Sequence, residues 1–199
     1  MPDLARHWPS RLPPSLREEL EAAYGDRTRG YHDLRHLAEV LAHVDELMPG
    51  DDPDREAVLL AAWFHDAVYD GQEDDEERSA RLAVAALGPG PLSDEVARLV
   101  RLTATHRPAD DDRAGQVLCD ADLGILAADD ERYASYAAGV RREHAHVPDA
   151  DFVAGRVAVL RDLLAKLTLF HTPVARSRWE DRARANLTRE IDRLASGKA

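Results

Sequence analysis

The chain has 199 residues, 44% of them hydrophobic and 32% charged, which fits one compact domain with a sizeable core. Thirty-eight acidic against 26 basic side chains give a formal net charge of -12, which argues against a general attraction to nucleic-acid backbones or to anionic membrane surfaces. A single cysteine, Cys119, excludes an intrachain disulfide and a cysteine-based zinc site.

Residues 1–14, which end in Pro13-Pro14, are the only candidate for a loose arm, and 15–199 read as a single helical domain. Ser15 ahead of Glu18 opens a helix over 15–24. The next, over 32–48, carries Leu34, Leu37, Val40, Leu41, Val44 and Leu47 at three- and four-residue intervals. After the break at Pro49 to Pro53, Asp54 stands as the cap of a helix over 54–69. The acidic run Glu73 to Glu77 reads as the solvated first turn of a helix over 75–87, favourable at the positive end of the helix dipole. Further helices are expected over 93–106, 115–127, 129–145, 150–168 and 176–195, separated by breaks around Pro89 to Pro91, Pro108, Pro148 and Pro173. Period-2 runs rich in β-branched residues are absent, so the expected fold is an all-α compact bundle of short helices. The longest apolar stretches, such as Ala57 to Trp63, are far below the roughly 20 residues that span a bilayer. The start MPDLARHWPS lacks the apolar core of a signal peptide, and a cytoplasmic protein is expected.

Chemistry concentrates in histidines and aspartates placed on otherwise apolar helices. His32 and His36 are four apart, a spacing that stacks two imidazoles on one helix face. Burying the apolar run Ala57 to Tyr69 carries His65 and Asp66 inward, where a carboxylate costs several kcal/mol unless it is paired or holds a metal. Val117 to Leu126 repeats the pattern with Asp120 and Asp122, so something cationic should face these groups. Imidazoles and carboxylates without thiolate make a site for Mn²⁺, Fe²⁺, Co²⁺, Ni²⁺ or Zn²⁺, and the ligand set does not choose among them. An ion held by four side chains keeps positions for water and a phosphoryl oxygen, which makes phosphate-ester hydrolysis the natural output.

The order His36, His65-Asp66, Asp122 resembles the H…HD…D signature of the HD-domain superfamily of all-α metal-dependent phosphohydrolases. The flanking residues sharpen the likeness to its stand-alone bacterial branch of roughly 200-residue chains: Tyr31-His32, Trp63-Phe64-His65-Asp66-Ala67-Val68-Tyr69, Glu76 with Ser79-Ala80, Thr103 to His106, and Asp120-Ala121-Asp122-Leu123. The resemblance covers residues 28–172 and implies that His36, His65, Asp66 and Asp122 are metal ligands. Asp120 then becomes a supporting or solvent-facing residue. The same resemblance makes Glu76 an acid/base or water-orienting candidate and places His106 near the metal pocket. His32 could bind substrate phosphate or a second ion. Arg35, Arg78 and Arg107 lie near the motifs and could grip phosphate oxygens. His43, His144, His146 and His171 fit no usable spacing and read as surface or packing residues, and Tyr133, Tyr136 and Phe152 read as core.

No GxxxxGK[ST], GxGxxG or GxSxG sequence occurs, and the apolar surroundings of Cys119 suggest burial. The expected activity is metal-dependent hydrolysis of a phosphomonoester or phosphoanhydride of a nucleotide or other small phosphate compound. The alternative is a metal-dependent nucleotide-binding regulatory module without turnover. Apolar helix faces left over after packing leave room for a homodimer.

Overall fold

The computed structural model describes residues 4–197. A 3-10 turn at Leu4–His7 precedes α1 (Pro14–Tyr24), α2 (Leu34–Leu47), α3 (Arg55–Phe64), α4 (Asp75–Leu87), α5 (Pro91–Leu102) and α6 (Arg113–Asp122). A second 3-10 turn, Leu123–Ala127, leads to α7 (Asp130–Glu143), α8 (Asp149–Ala165), α9 (Pro173–Arg178) and α10 (Glu180–Ala195). There is no strand among the described residues, and the fold is all-α as the periodicity predicts. No helix is long and apolar enough to cross a membrane among the described residues.

The centre is α3, and its sequence dictates that place. Ala57, Val58, Leu60, Ala61, Ala62, Trp63 and Phe64 are all buried, so the helix is apolar on nearly every side and needs neighbours all round. α2, α5 and α6 supply them, with α4 lying against α5. α2 is amphipathic instead and buries Leu37, Val40, Leu41, Val44 and Leu47. α10 packs on the 123–127 turn and on α8. There the Asn186 amide donates to the carbonyls of Leu126 (2.8 Å) and Ala128 (2.9 Å). Tyr133 and Tyr136 are core residues, as expected, and their hydroxyls join a buried network with Glu190 and Arg156.

Several expected boundaries move. α2 begins at Leu34 rather than 32, because the Asp33 carboxylate caps it by accepting from the N–H groups of Arg35 and His36. His32 therefore precedes the helix, although its ring still meets that of His36 edge-on at 5.5 Å. α3 stops at Phe64 rather than 69. The carbonyls of Asp66 and Ala67 are taken by the Arg29 guanidinium, and Val68 exchanges both its backbone groups with the Ser79 hydroxyl, which leaves no continuing helical ladder. The expected helix over 115–127 tightens to 3-10 geometry after Asp122, and that over 176–195 breaks at Trp179. Of the expected arm, residues 1–3 lie outside the described residues, and the following segment is packed. Leu4 and His7 are buried, His7 bonds Asp45 at 2.8 Å, and the Trp8 indole meets Trp63 edge-on at 5.2 Å. The acidic run is not wholly solvated either: Asp75 is buried and accepts from the N–H groups of Asp70 and Gln72.

Candidate metal centre

Four helix ends meet at one point. The first turn of α2 brings His36, the end of α3 brings His65 and Asp66, and the end of α6 brings Asp122. The turn that follows α5 brings His106. Three of these four ends are C-termini, the negative ends of the helix dipoles, which favour a cation.

The side chains converge tightly. His36 Nε2 and His65 Nε2 are 3.0 Å apart. Asp66 Oδ2 lies 3.3 Å from the first and 3.1 Å from the second, and Asp122 Oδ1 lies 3.2 and 3.6 Å from the same two atoms. Both histidines are 1% exposed. His36, His65 and Asp66 form the tightest triad, each offering one ligand atom within 4.8 Å of the others. Asp122 joins it through its contacts with both imidazoles.

These separations fit a divalent ion. Bonds of about 2.1 Å require neighbouring ligand atoms about 3.0 Å apart in an octahedral shell and about 3.4 Å apart in a tetrahedral one. The polar atoms also lack better partners. Asp66 Oδ2 is sealed from solvent and receives no well-aligned hydrogen bond, its near neighbours being the two imidazole Nε2 atoms, an arrangement that costs free energy unless a cation compensates it. The Nδ1–H of His65 donates to the Ala62 carbonyl at 2.8 Å, which leaves the Nε2 lone pair turned into the cluster.

The electrostatics agree. Burial works to strip protons from His36 and His65, yet the carboxylates of Asp66 and Asp122 outweigh it and hold both imidazoles above their ordinary range, His65 far above. Burial likewise opposes ionisation of Asp66 and Asp122, and the facing imidazoles hold both carboxyls well below the usual carboxylate range. Two carboxylates thus demand about two positive charges. Two protonated rings would set like charges head to head across 3.0 Å, whereas one divalent ion meets the demand with neutral imidazoles.

His106 and His32 flank the cluster. His106 Nε2 bonds Asp122 Oδ2 at 2.8 Å, and its φ of 50° is left-handed, a position after a helix that glycine usually fills. His32 sits in the turn before α2, its ring 5.5 Å from that of His36 and stacked on Tyr69 at 4.1 Å. Its Nδ1 bonds Glu143 at 2.9 Å.

Glu143, at the end of α7, was not visible as a site residue from sequence. One carboxylate oxygen accepts from the N–H groups of Gly30 (2.9 Å), Tyr31 (2.7 Å) and His32 (2.9 Å), and the other reaches His32 and the Tyr69 hydroxyl. Burial alone would raise its pKa, but His32 and the backbone donors bring it down to about 2. The carboxylate can reach because the 30–32 turn lies directly on α7: a Cβ on Gly30 would sit 2.2 Å from the Gly139 carbonyl, and one on Gly139 2.6 Å from the Gly30 carbonyl. Two more residues went unpredicted. Arg29 ties the two histidine segments by donating to the carbonyls of His32 (2.9 Å) and Asp66 (2.8 Å). The Tyr24 hydroxyl accepts from the Asp66 N–H at 3.2 Å. The glycine pair and the lone arginine had only their sequence neighbours to mark them.

Other candidates stand apart. Glu76 makes no hydrogen bond or ion pair with the cluster among the described residues, although Ser79 of the same helix fastens the turn after Asp66. Arg35 pairs with Glu39, Arg78 with Asp70 and Asp75, and Arg107 is exposed. Asp120 is fully buried and accepts from the N–H groups of His171 and Thr172, so it anchors the 171–172 segment and is not solvent-facing. Cys119 is buried, and that burial pushes its thiol up and away from reactivity. No protein-family model matches the chain, and no curated protein or solved structure matches it.

Proposed function

We propose that the protein is a metal-dependent phosphohydrolase of the HD type, acting on a phosphomonoester or phosphoanhydride of a nucleotide or other small phosphate compound. The observation that carries the reading is the convergence of the buried His36 and His65 with Asp66 and Asp122 on one point, in the chain order that resembles the HD signature. These four side chains would hold one divalent ion, drawn from Mn²⁺, Fe²⁺, Co²⁺, Ni²⁺ or Zn²⁺. When bound there, such an ion supplies a Lewis acid for a phosphoryl oxygen and lowers the pKa of water.

The chain's own residues do the rest. His65 keeps its Nε2 lone pair turned inward because Ala62 takes the proton on Nδ1. His106 fixes the Asp122 carboxylate through Oδ2 and leaves Oδ1 toward the imidazoles. His32, held by Glu143 and Tyr69 and with a partly exposed ring, stands at the rim, where a phosphoryl oxygen would arrive. Glu76 is the candidate for orienting water or shuttling a proton, from the resemblance alone.

The test is phosphate release from nucleotides and small phosphate esters by metal-stripped protein resupplied with each ion, alongside Asp66→Ala and Glu76→Gln. Turnover that needs the ion and is lost at least 100-fold in Asp66→Ala supports the reading. Metal binding without turnover on any compound would overturn it in favour of a regulatory module.

A further inference from the structure

A patch of positive charge that the proposed centre leaves unused lines a cleft between α2, the 123–127 turn, α7 and the junction of α9 and α10. Its volume is about 360 Å³, within the range of small-molecule sites. Arg132, Arg178 and Arg182 line it together with His43 and Trp179, and Glu39 is its one carboxylate. Glu39 is already neutralised, gripped by both ends of the Arg132 guanidinium at 2.7 and 2.6 Å. Arg178 makes one exposed pair with Glu46, a contact worth little in water. Arg182 makes no ion pair or hydrogen bond among the described residues, although an acidic stretch, Asp129 to Glu131, borders it in the adjoining groove. In a chain of net charge -12, this lining keeps two guanidiniums beyond what its own carboxylate offsets.

The aromatic wall is built rather than incidental. The Trp179 indole is held by a tilted contact with His43 at 4.9 Å and an edge contact with Phe170 at 5.5 Å, neither of them a parallel stack, and its Nε1–H has no acceptor among the described residues. His43 is fixed in turn by the Ala121 carbonyl, to which its Nδ1–H donates at 2.9 Å. It occupies the space that any side chain at position 124 would need, since a Cβ on Gly124 would fall 2.4 Å from its ring. The metal ligands take no part in lining this cleft.

We propose that this cleft is a second ligand site, separate from the metal centre, which takes a small organic phosphate bearing a planar ring, of nucleotide size. Arg178 and Arg182 grip the phosphate as planar forks, and the fixed indole receives the ring by stacking and donates a hydrogen bond from Nε1. The proposal does not rest on the hydrolase reading.

The test is calorimetric titration of metal-free protein, kept in chelator, with AMP, GMP and inorganic phosphate, together with quenching of indole fluorescence. Binding of one mononucleotide per chain is expected. Asp66→Asn should hold the affinity within about twofold, and Arg178→Ala with Arg182→Ala should weaken it at least tenfold with an unchanged melting temperature. Trp179→Phe should weaken it less while removing most of the quenching. Inorganic phosphate should bind at least tenfold more weakly than either nucleotide. Absence of nucleotide binding at millimolar concentration would overturn the proposal. So would binding that survives the double arginine variant but is lost in Asp66→Asn, or inorganic phosphate binding as tightly as the nucleotides.

Discussion

Replacing Glu143 with glutamine probes how the turn carrying His32 is held. The carboxylate is 4% exposed and accepts five hydrogen bonds: three from consecutive backbone N–H groups, one from His32 and one from Tyr69. Holding a carboxyl from 4.5 down to about 2 corresponds to about 3 kcal/mol of folding stability. The sign follows from the depressed value. The contribution is fully present above pH 4.5, where the unfolded chain's carboxyl is ionised too, and it is lost as the pH falls from 4.5 towards 2. Glutamine keeps the shape and one acceptor oxygen but removes the charge, and it sets an amide against the His32 and Tyr69 side chains. Urea unfolding of Glu143→Gln at pH 7 should therefore give a free energy about 2–3 kcal/mol below that of the unaltered chain. The two chains should converge as the pH drops below 4.5. A Glu143→Gln free energy within about 0.5 kcal/mol of the parent at pH 7 would refute the view that this carboxylate pins the turn.

Gly139→Ala forces a Cβ against the Gly30 carbonyl, a backbone contact that no side-chain movement relieves. A loss of at least about 2 kcal/mol is expected from thermal or urea unfolding, and an unchanged melting temperature would contradict the close approach. His106→Gly removes left-handed strain and the bond to Asp122 together. Stability should thus change by less than about 1 kcal/mol, whereas the turnover proposed for the centre should fall at least tenfold. For the candidate metal centre, saturating Mn²⁺ or Zn²⁺ should raise the melting temperature, and at 100 times its Kd an ion adds about 2.7 kcal/mol. His65→Ala should abolish that rise, and a rise of equal size in the variant would place the ion elsewhere.

The helices were legible because they answer to local rules. Apolar residues at three- and four-residue intervals marked α2, and the proline breaks separated the elements that follow. Boundaries failed where a distant group captured the backbone. Nothing near position 68 announces that Ser79 will take both its backbone groups, nor that Arg29 will hold the carbonyls of Asp66 and Ala67. Within the candidate centre, His36, His65, Asp66 and Asp122 were readable as charges misplaced in apolar helices, a conflict that a sequence retains for a reason. Glu143 was not, because it closes a polar helix in a segment full of arginine and glutamate, where one carboxylate looks like any other.

By itself, then, the sequence determined that the chain is helical, that the apolar run Ala57 to Tyr69 carries His65 and Asp66 inward, and that His36 and Asp122 stand on other helices with apolar faces to bury. Periodicity and burial suffice for that, since both are properties of a single segment. Only the tertiary structure decided that the four groups share one point. It also decided that His32 pairs with Glu143, and that Arg178, Trp179 and Arg182 meet His43 across a cleft. Those pairings depend on the packing of helices far apart in the chain, and so on how each helix is rotated against its neighbours, which no short-range pattern encodes.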